Sequence, residues 1–246
     1  MTKQYNTLYV FGDSFSTPNF CVDPKDSYWG LLAKHAGIPN VINYAFAGNA
    51  WEGVMQSLVG ESVNINFETS LIIIAVPPLE RRLRFDNHQN TEHLFYTFNW
   101  NWDAFPAPNE HMRGLEVLRG FDSNVSVQDE ISLFADRSWL ETVLMRGLFL
   151  VTKWLDSVGA NYFIINTNAK DLDKDNFWGP SATVLSYMLD HPRMMFEDTY
   201  HSINQIDNIQ PADYNAHGWM GHHGAEGNAN FFQKSLPPQL KDAKLL

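Results

Sequence analysis

Cysteine is almost missing from this chain, since Cys21 is the only one among 246 residues. One cysteine excludes an internal disulfide, so the hydrophobic residues, 44% of the total, must hold the fold together. The count leaves the redox compartment open. We expect Cys21 itself to be a small, partly buried apolar residue.

Basic residues are also scarce: 17 lysines and arginines face 28 aspartates and glutamates, a formal net charge of -11. An acidic chain repels phosphate backbones and anionic lipid surfaces. The composition therefore argues against nucleic-acid and membrane partners and favours a small-molecule or glycan substrate. It gives no indication of the oligomeric state.

Long apolar runs are absent too, and no stretch is long enough to span a bilayer. Residues 1–6 lead into the first predicted strand without an apolar signal region. We therefore expect a soluble, cytoplasmic chain, with release by lysis or particle assembly left open. No repeat or linker divides the sequence, so we expect a single domain over residues 1–246.

Short apolar segments alternate with helical patterns. The continuous run within Ser70–Val76 is typical of a parallel strand buried on both faces. Further strands are predicted at 8–11, 41–44 and 161–166, and helices at 28–36, 52–58, 138–159, 181–189 and 224–232. The alternation predicts a three-layer α/β/α sandwich around a parallel sheet of about five strands with flavodoxin-like winding.

One region, about residues 80–129, departs from this pattern and is rich in aromatic residues, namely Phe95, Tyr96, Phe98, Trp100, Trp102 and Phe105. A connection this long is usually functional or carries its own structure. We predict an insertion over the cleft. Its aromatic side chains either contact sugar rings or an acyl group, or form a small core of their own.

A polar corner, Gly12-Asp13-Ser14, follows the first predicted strand directly. Ligands of open α/β sheets bind beyond the carboxyl ends of the strands. Ser14 is therefore predicted to lie in the cleft where chemistry is normally done.

Three short blocks span almost the whole chain. They are Phe11-Gly12-Asp13-Ser14, Asn43-Tyr44-Ala45-Phe46-Ala47-Gly48 and His222-His223-Gly224-Ala225-Glu226-Gly227. In this order they resemble the blocks of the GDSL family of serine hydrolases, also called SGNH hydrolases. The resemblance implies the SGNH hydrolase fold and hydrolysis of ester bonds through an acyl-enzyme, without a cofactor.

The resemblance also implies roles for individual residues. Ser14 corresponds to the nucleophile and His222 to the general base that takes its proton. The backbone amides of Ser14 and Gly48 correspond to donors of the oxyanion hole. Asp13 is expected to tie down the nucleophile loop rather than to act as an acid.

Two other histidines leave alternatives open. His217 and His223 are rival candidates for the base, and together with His222 they are candidate ligands of a metal-dependent hydrolase. No cysteine and no regular helical spacing of ligands supports a metal site. We therefore predict no metal and choose His222.

The sequence departs from the family pattern at the third member of the triad. Trp219 stands where the resemblance places the acid that orients the histidine. Asp213 is the nearest upstream acid and our first candidate, and Asp207 is the second. A Ser-His dyad oriented by a backbone carbonyl is the remaining possibility.

A second departure concerns the oxyanion hole. Pro77 and Pro78 follow the third strand, where the family pattern has an asparagine, and proline supplies no donor. Asn49 and Arg81 are the candidate replacements. The predicted function is a serine esterase, with O-acetyl groups on a glycan as a possible substrate. The alternative is a catalytically degenerate module of the same fold that binds a glycan or protein.

Overall fold

The structure is a computed structural model. It describes residues 3–17, 22–46, 49–77, 82–85, 95–98, 137–167, 180–195, 203–204, 209 and 222–246. The strands within these ranges are β1 (Thr7–Phe11), β2 (Asn40–Asn43), β3 (Ser70–Val76), β4 (Arg82–Phe85), β5 (Phe95–Phe98), β6 (Asn161–Asn166) and β7 (Met194–Met195). The α-helices are α1 (Tyr28–Ala36), α2 (Trp51–Glu61), α3 (Arg137–Ser157), α4 (Pro180–Leu189), α5 (Ala225–Lys234) and α6 (Leu236–Asp242).

Five of these strands form one parallel sheet in the order β2-β1-β3-β6-β7. Every residue of β3 and β6 is buried, as their continuous apolar sequences predict. The chain winds outward from β1 in both directions, which places the switch in winding between β1 and β3. The predicted fold class, a flavodoxin-like parallel sheet in an α/β/α sandwich, is confirmed.

The two faces of the sheet bury separate cores, because successive side chains of a strand point to opposite sides. Ile72 and Ile74 pack with residues of α2, α3 and α4. Leu71 and Ile73 pack on the other side with residues of α1, α5 and α6. Complete burial of each such side chain stabilises the fold by roughly 1.5–3 kcal/mol. Both helical layers contribute, because each covers one face of the sheet.

Several elements in the described ranges were not predicted from the sequence. They include the two-residue strand β7, helix α6, and the antiparallel strands β4 and β5 inside the predicted insertion. Most of 80–129, and the side chains of β4 and β5, lie outside the described residues. The insertion over the cleft and the single domain therefore stay predictions. No helix in the described ranges is long and apolar enough to cross a membrane.

The first turn of α1 holds the loop that follows β1. Ser27 caps this helix, since its Oγ accepts a hydrogen bond from Gly30 N at 3.1 Å. The Tyr28 hydroxyl lies 2.5 Å from Ser16 Oγ, and Trp29 Nε1 donates to Ser16 O at 3.0 Å. The loop after β1 is thereby attached to a rigid helix.

Asn228 of α5 joins the same helix to the segment 222–224. Its Oδ1 accepts from Tyr28 N at 3.0 Å, which satisfies a buried amide in the first turn of α1. Its Nδ2 donates to the carbonyls of His223 and Gly224, both at 3.0 Å. One buried amide thus connects two segments that are 200 residues apart along the chain.

We expect Asn228→Ala to lower the free energy of unfolding by about 3 kcal/mol. The substitution removes three hydrogen bonds and leaves buried backbone groups of α1 and of residues 223–224 without this partner. Urea denaturation monitored by tryptophan fluorescence measures the change.

Asn230→Ala is the matched control, because Asn230 lies on the same helix and, among the described residues, its Nδ2 donates one hydrogen bond, to Asn204 Oδ1 at 3.1 Å. We expect a loss of about 1 kcal/mol or less for this variant. Equal losses in the two variants would contradict the connecting role of Asn228.

Candidate active site

Ser14 lies just beyond the carboxyl end of β1, on a tight turn that begins at Gly12. A Cβ added to Gly12 would lie 2.8 Å from the Cβ of Ala75 and 3.0 Å from Ser16 Oγ. Only glycine lets the end of β1 lie this close to β3 and to its own loop. Glycine at position 12 is therefore required for Ser14 to stand where it does.

Asp13 holds the turn together. Its carbonyl accepts from Ser16 N at 2.9 Å and from Thr17 Oγ1 at 3.0 Å, and its Oδ1 accepts from Phe15 N at 3.2 Å. The Asp13 side chain is fully buried. These contacts agree with the expectation that Asp13 ties down the loop.

His222 meets Ser14 directly: its Nε2 lies 2.7 Å from Ser14 Oγ. The two residues are 208 positions apart in the sequence, and they are 3% and 4% exposed. This distance is that of a hydrogen bond, which a serine nucleophile and its base require. The structure thus brings together two of the predicted catalytic residues.

His223 is also buried, but its position is set by the helix that follows. A Cβ added to Gly227 would lie 2.4 Å from the Cβ of His223 and 3.1 Å from its Nδ1. The ring of His223 therefore packs against the first turn of α5. Of the two adjacent histidines, His222 is the one that contacts Ser14 Oγ.

Asn49, which the sequence predicts as an oxyanion donor, makes a hydrogen bond to the backbone just after β1. Its Nδ2 donates to Gly12 O at 3.0 Å, and its backbone N donates to Phe46 O at 3.2 Å. The side chain is fully buried. Asn49 fixes the carbonyl two residues before Ser14, and its role as a donor stays a prediction.

Several predicted residues lie outside the described ranges. Gly48 and Asp213 are among them, as are the alternatives Asp207, His217 and Arg81. In the part of the chain that the structure describes, no group of three or more His, Cys, Asp or Glu residues is arranged to hold a metal ion. The assignments of Asp213 and Gly48 stay predictions.

Sequence reasoning missed two side chains beside the site. Phe15 stacks on the ring of His222, with centroids 4.7 Å apart and planes inclined by 22°. Asn228 fixes the backbone next to His222. Phe15 had a signal, its position next to Ser14, whereas an asparagine inside a helix carries no local sign of a contact 200 residues away.

The arrangement contains a serine hydroxyl and an imidazole, the pair of groups that nucleophilic catalysis by serine uses. Ser14 Oγ has a basic ring nitrogen within hydrogen-bonding distance. Among the described residues, none accepts a hydrogen bond from the backbone N–H of Ser14. Val76 is the last residue of β3 and Pro77 follows it; both are buried, and neither has a side-chain donor.

No protein-family model matches the chain, and no curated protein matches its sequence. Solved structures that resemble it include a phospholipase A1 from Streptomyces albidoflavus, 14% identical with a TM-score of 0.47, covering 96% of this chain and 98% of that one. The esterase EstA from Pseudoalteromonas sp. is 12% identical with a TM-score of 0.45, covering 96% and 95%.

A third similar structure is a member of the lipolytic G-D-S-L family from Veillonella parvula. It is 14% identical with a TM-score of 0.43, and the alignment covers 93% of this chain and 95% of that one. At these values the fold class rests on the strand order of the sheet rather than on the superpositions. Structures of the GDSL family are among those that the chain resembles, as the three sequence blocks predict.

Proposed function

We propose that the chain is a serine esterase with Ser14 as the nucleophile and His222 as the general base. The observation that carries this proposal is the 2.7 Å contact between Ser14 Oγ and His222 Nε2 at the carboxyl end of β1. A turn serine with no chemical role would bond its own loop. Here the bonds of the loop are made by Asp13, Ser16 and Thr17, and Ser14 Oγ faces an imidazole.

In the proposed reaction, Ser14 Oγ attacks the ester carbonyl carbon while His222 Nε2 takes the hydroxyl proton. The tetrahedral intermediate collapses as the carbon–oxygen bond of the leaving group breaks. His222 returns the proton to the leaving oxygen. A water molecule then attacks the acyl carbon while His222 Nε2 takes its proton. The bond from the acyl carbon to Ser14 Oγ breaks, the carboxylic acid leaves, and His222 returns the proton to Ser14 Oγ. This role requires the resting ring to carry its hydrogen on Nδ1, because Nε2 must accept the hydrogen bond from the Ser14 hydroxyl.

The oxyanion is assigned to the backbone amides of Ser14 and Gly48, as the resemblance implies. The amide of Ser14 meets no described acceptor. One well-placed donor is typically worth about 3 kcal/mol in the transition state. Asn49 contributes by holding Gly12 O, which fixes the turn from which the Ser14 amide projects.

The substrate class that fits best is a short acyl ester, such as an acetyl group. Ser14 is only 3% exposed, so an incoming acyl group must fit into little space beside Oγ. The aromatic residues of the predicted insertion favour a sugar as the alcohol part of the ester. Together they support O-acetyl groups on a glycan.

Low exposure of Ser14 also favours the second candidate function, a catalytically degenerate module that binds a glycan or protein. Pro77 supports this alternative, because it removes the third oxyanion donor of the family pattern. The two candidates differ in the reactivity of Ser14, which makes them separable by one reagent.

We expect Ser14→Ala and His222→Ala each to lower turnover of p-nitrophenyl acetate by about 10³-fold or more, because the two residues act as a unit. A fluorophosphonate probe should label the wild type at Ser14 and label His222→Ala far more slowly. Mass spectrometry of the labelled peptide identifies the site.

Ser157→Ala and His35→Ala are the matched controls, since both residues are exposed and lie outside the site. They should retain wild-type turnover. A folded wild type that neither hydrolyses the ester nor accepts the probe would favour the binding module. Activity that persists in Ser14→Ala and disappears on adding a chelator would favour the metal-dependent alternative.

We further expect kcat/KM to be about 10-fold higher for p-nitrophenyl acetate than for p-nitrophenyl octanoate. The two esters share a leaving group, so the comparison isolates the space available to the acyl chain beside Ser14. Equal or faster hydrolysis of the octanoate would contradict the short-acyl assignment while leaving the serine mechanism intact.

A further inference from the structure

The ring of Phe15 covers one face of the His222 imidazole. The centroids are 4.7 Å apart and the planes are inclined by 22°, which is a stacked arrangement. Offset stacking at this distance is worth roughly 0.5–1.5 kcal/mol beyond the area it buries. The contact is therefore strong enough to affect how the imidazole is oriented.

A hydrogen bond alone does not fix the plane of an imidazole. The Nε2–Oγ contact with Ser14 fixes the position of one ring atom, whereas the plane of the ring is set by the torsion about the Cβ–Cγ bond. A flat aromatic face against the ring restricts that rotation. The stack with Phe15 therefore adds a restraint on the plane in which the Nε2 lone pair lies.

Phe15 is itself held by the loop that presents the nucleophile. Its backbone N donates to Asp13 Oδ1 at 3.2 Å, and Asp13 is fully buried. The same turn thus delivers the Ser14 hydroxyl and the Phe15 ring from adjacent residues. Any displacement of this loop would move the nucleophile and the ring that covers its base together.

The charge that develops in the reaction adds a second contribution. When His222 takes the proton of Ser14, its ring becomes a cation that lies over the face of Phe15. Aromatic faces attract cations at centroid distances below about 6 Å. The stack therefore stabilises the state in which the proton has moved more than the resting state.

We propose that Phe15 is a positioning residue, which holds the His222 ring in its productive plane and favours the imidazolium formed during attack. This inference rests on the proposed esterase function, since it concerns the base of that reaction. It assigns a role to a side chain that contacts the proposed base.

The test compares variants with and without an aromatic ring at position 15. Phe15→Leu should lower kcat for p-nitrophenyl acetate about 10-fold with KM within about twofold, because the effect falls on proton transfer. Phe15→Tyr should restore kcat to within about threefold of the wild type. Phe15→Met fills a similar volume without a ring and should resemble Phe15→Leu, which keeps the test usable if one variant folds poorly.

Phe67→Leu is the matched control, since Phe67 makes an edge contact with Trp154 and precedes the opposite, amino end of β3. It should leave kcat unchanged. The proton NMR shifts of the His222 ring report the stacking with Phe15 and need no turnover. Its ring protons should be shifted upfield in the wild type and in Phe15→Tyr, and should lose that shift in Phe15→Leu.

The outcomes separate this inference from the proposed function. An active enzyme in which Phe15→Leu keeps full kcat, or in which Phe15→Tyr loses as much as Phe15→Leu, overturns the role of Phe15 alone. Absence of the upfield shift in an active wild type also overturns it. A wild type that shows the shift but hydrolyses no ester overturns the esterase and this role with it.

Discussion

The hydrogen bond between Ser14 and His222 is the interaction on which the account of this protein depends, and much of the described fold serves to form it. Its two residues lie near opposite ends of the sequence, 208 positions apart. Ser14 follows the carboxyl end of β1, and the segment that leads into α5 brings His222 to the same end of the sheet. A 2.7 Å contact over that separation requires fixed supports on both sides.

Those supports converge on the first turn of α1. Tyr28 and Trp29 hold Ser16 of the loop that carries Ser14, while Asn228 connects Tyr28 N to the backbone that follows His222. All these groups are buried, where an unpaired amide or carbonyl costs about 1–3 kcal/mol. The site therefore cannot loosen without a loss of stability, which is a physical reason for the precision of a contact made by a loop.

The fold class was predictable because its signal is local. Strands buried on both faces, such as β3 and β6, must be continuously apolar, and the helices between them must carry one apolar face. Even the edge strand β2 was predicted to within one residue, although Val41 and Ile42 are each 38% exposed. Ser27 and Gly37 cap the two ends of α1, and serine and glycine are typical of these two positions.

What the sequence did not predict has no such local signal. Strand β7 is two residues long, too short for a periodic pattern. Helix α6 begins Leu236-Pro237-Pro238, which resembles a chain break, yet proline fits the first turn of a helix because those amides have no partner within it. Asn228 and Phe15 act through residues that only the folded chain brings near. For Ser14 and His222, the sequence blocks pointed to two residues that the structure places in contact, and their catalytic roles stay a proposal.

The central claim is that the substrate acylates Ser14. The most direct test is a rapid acid quench of the wild type during turnover of p-nitrophenyl acetate, followed by mass spectrometry of its peptides. The account predicts one acetyl group on the peptide that contains Ser14. Continued turnover with no adduct there, or with the adduct on another residue, would contradict it.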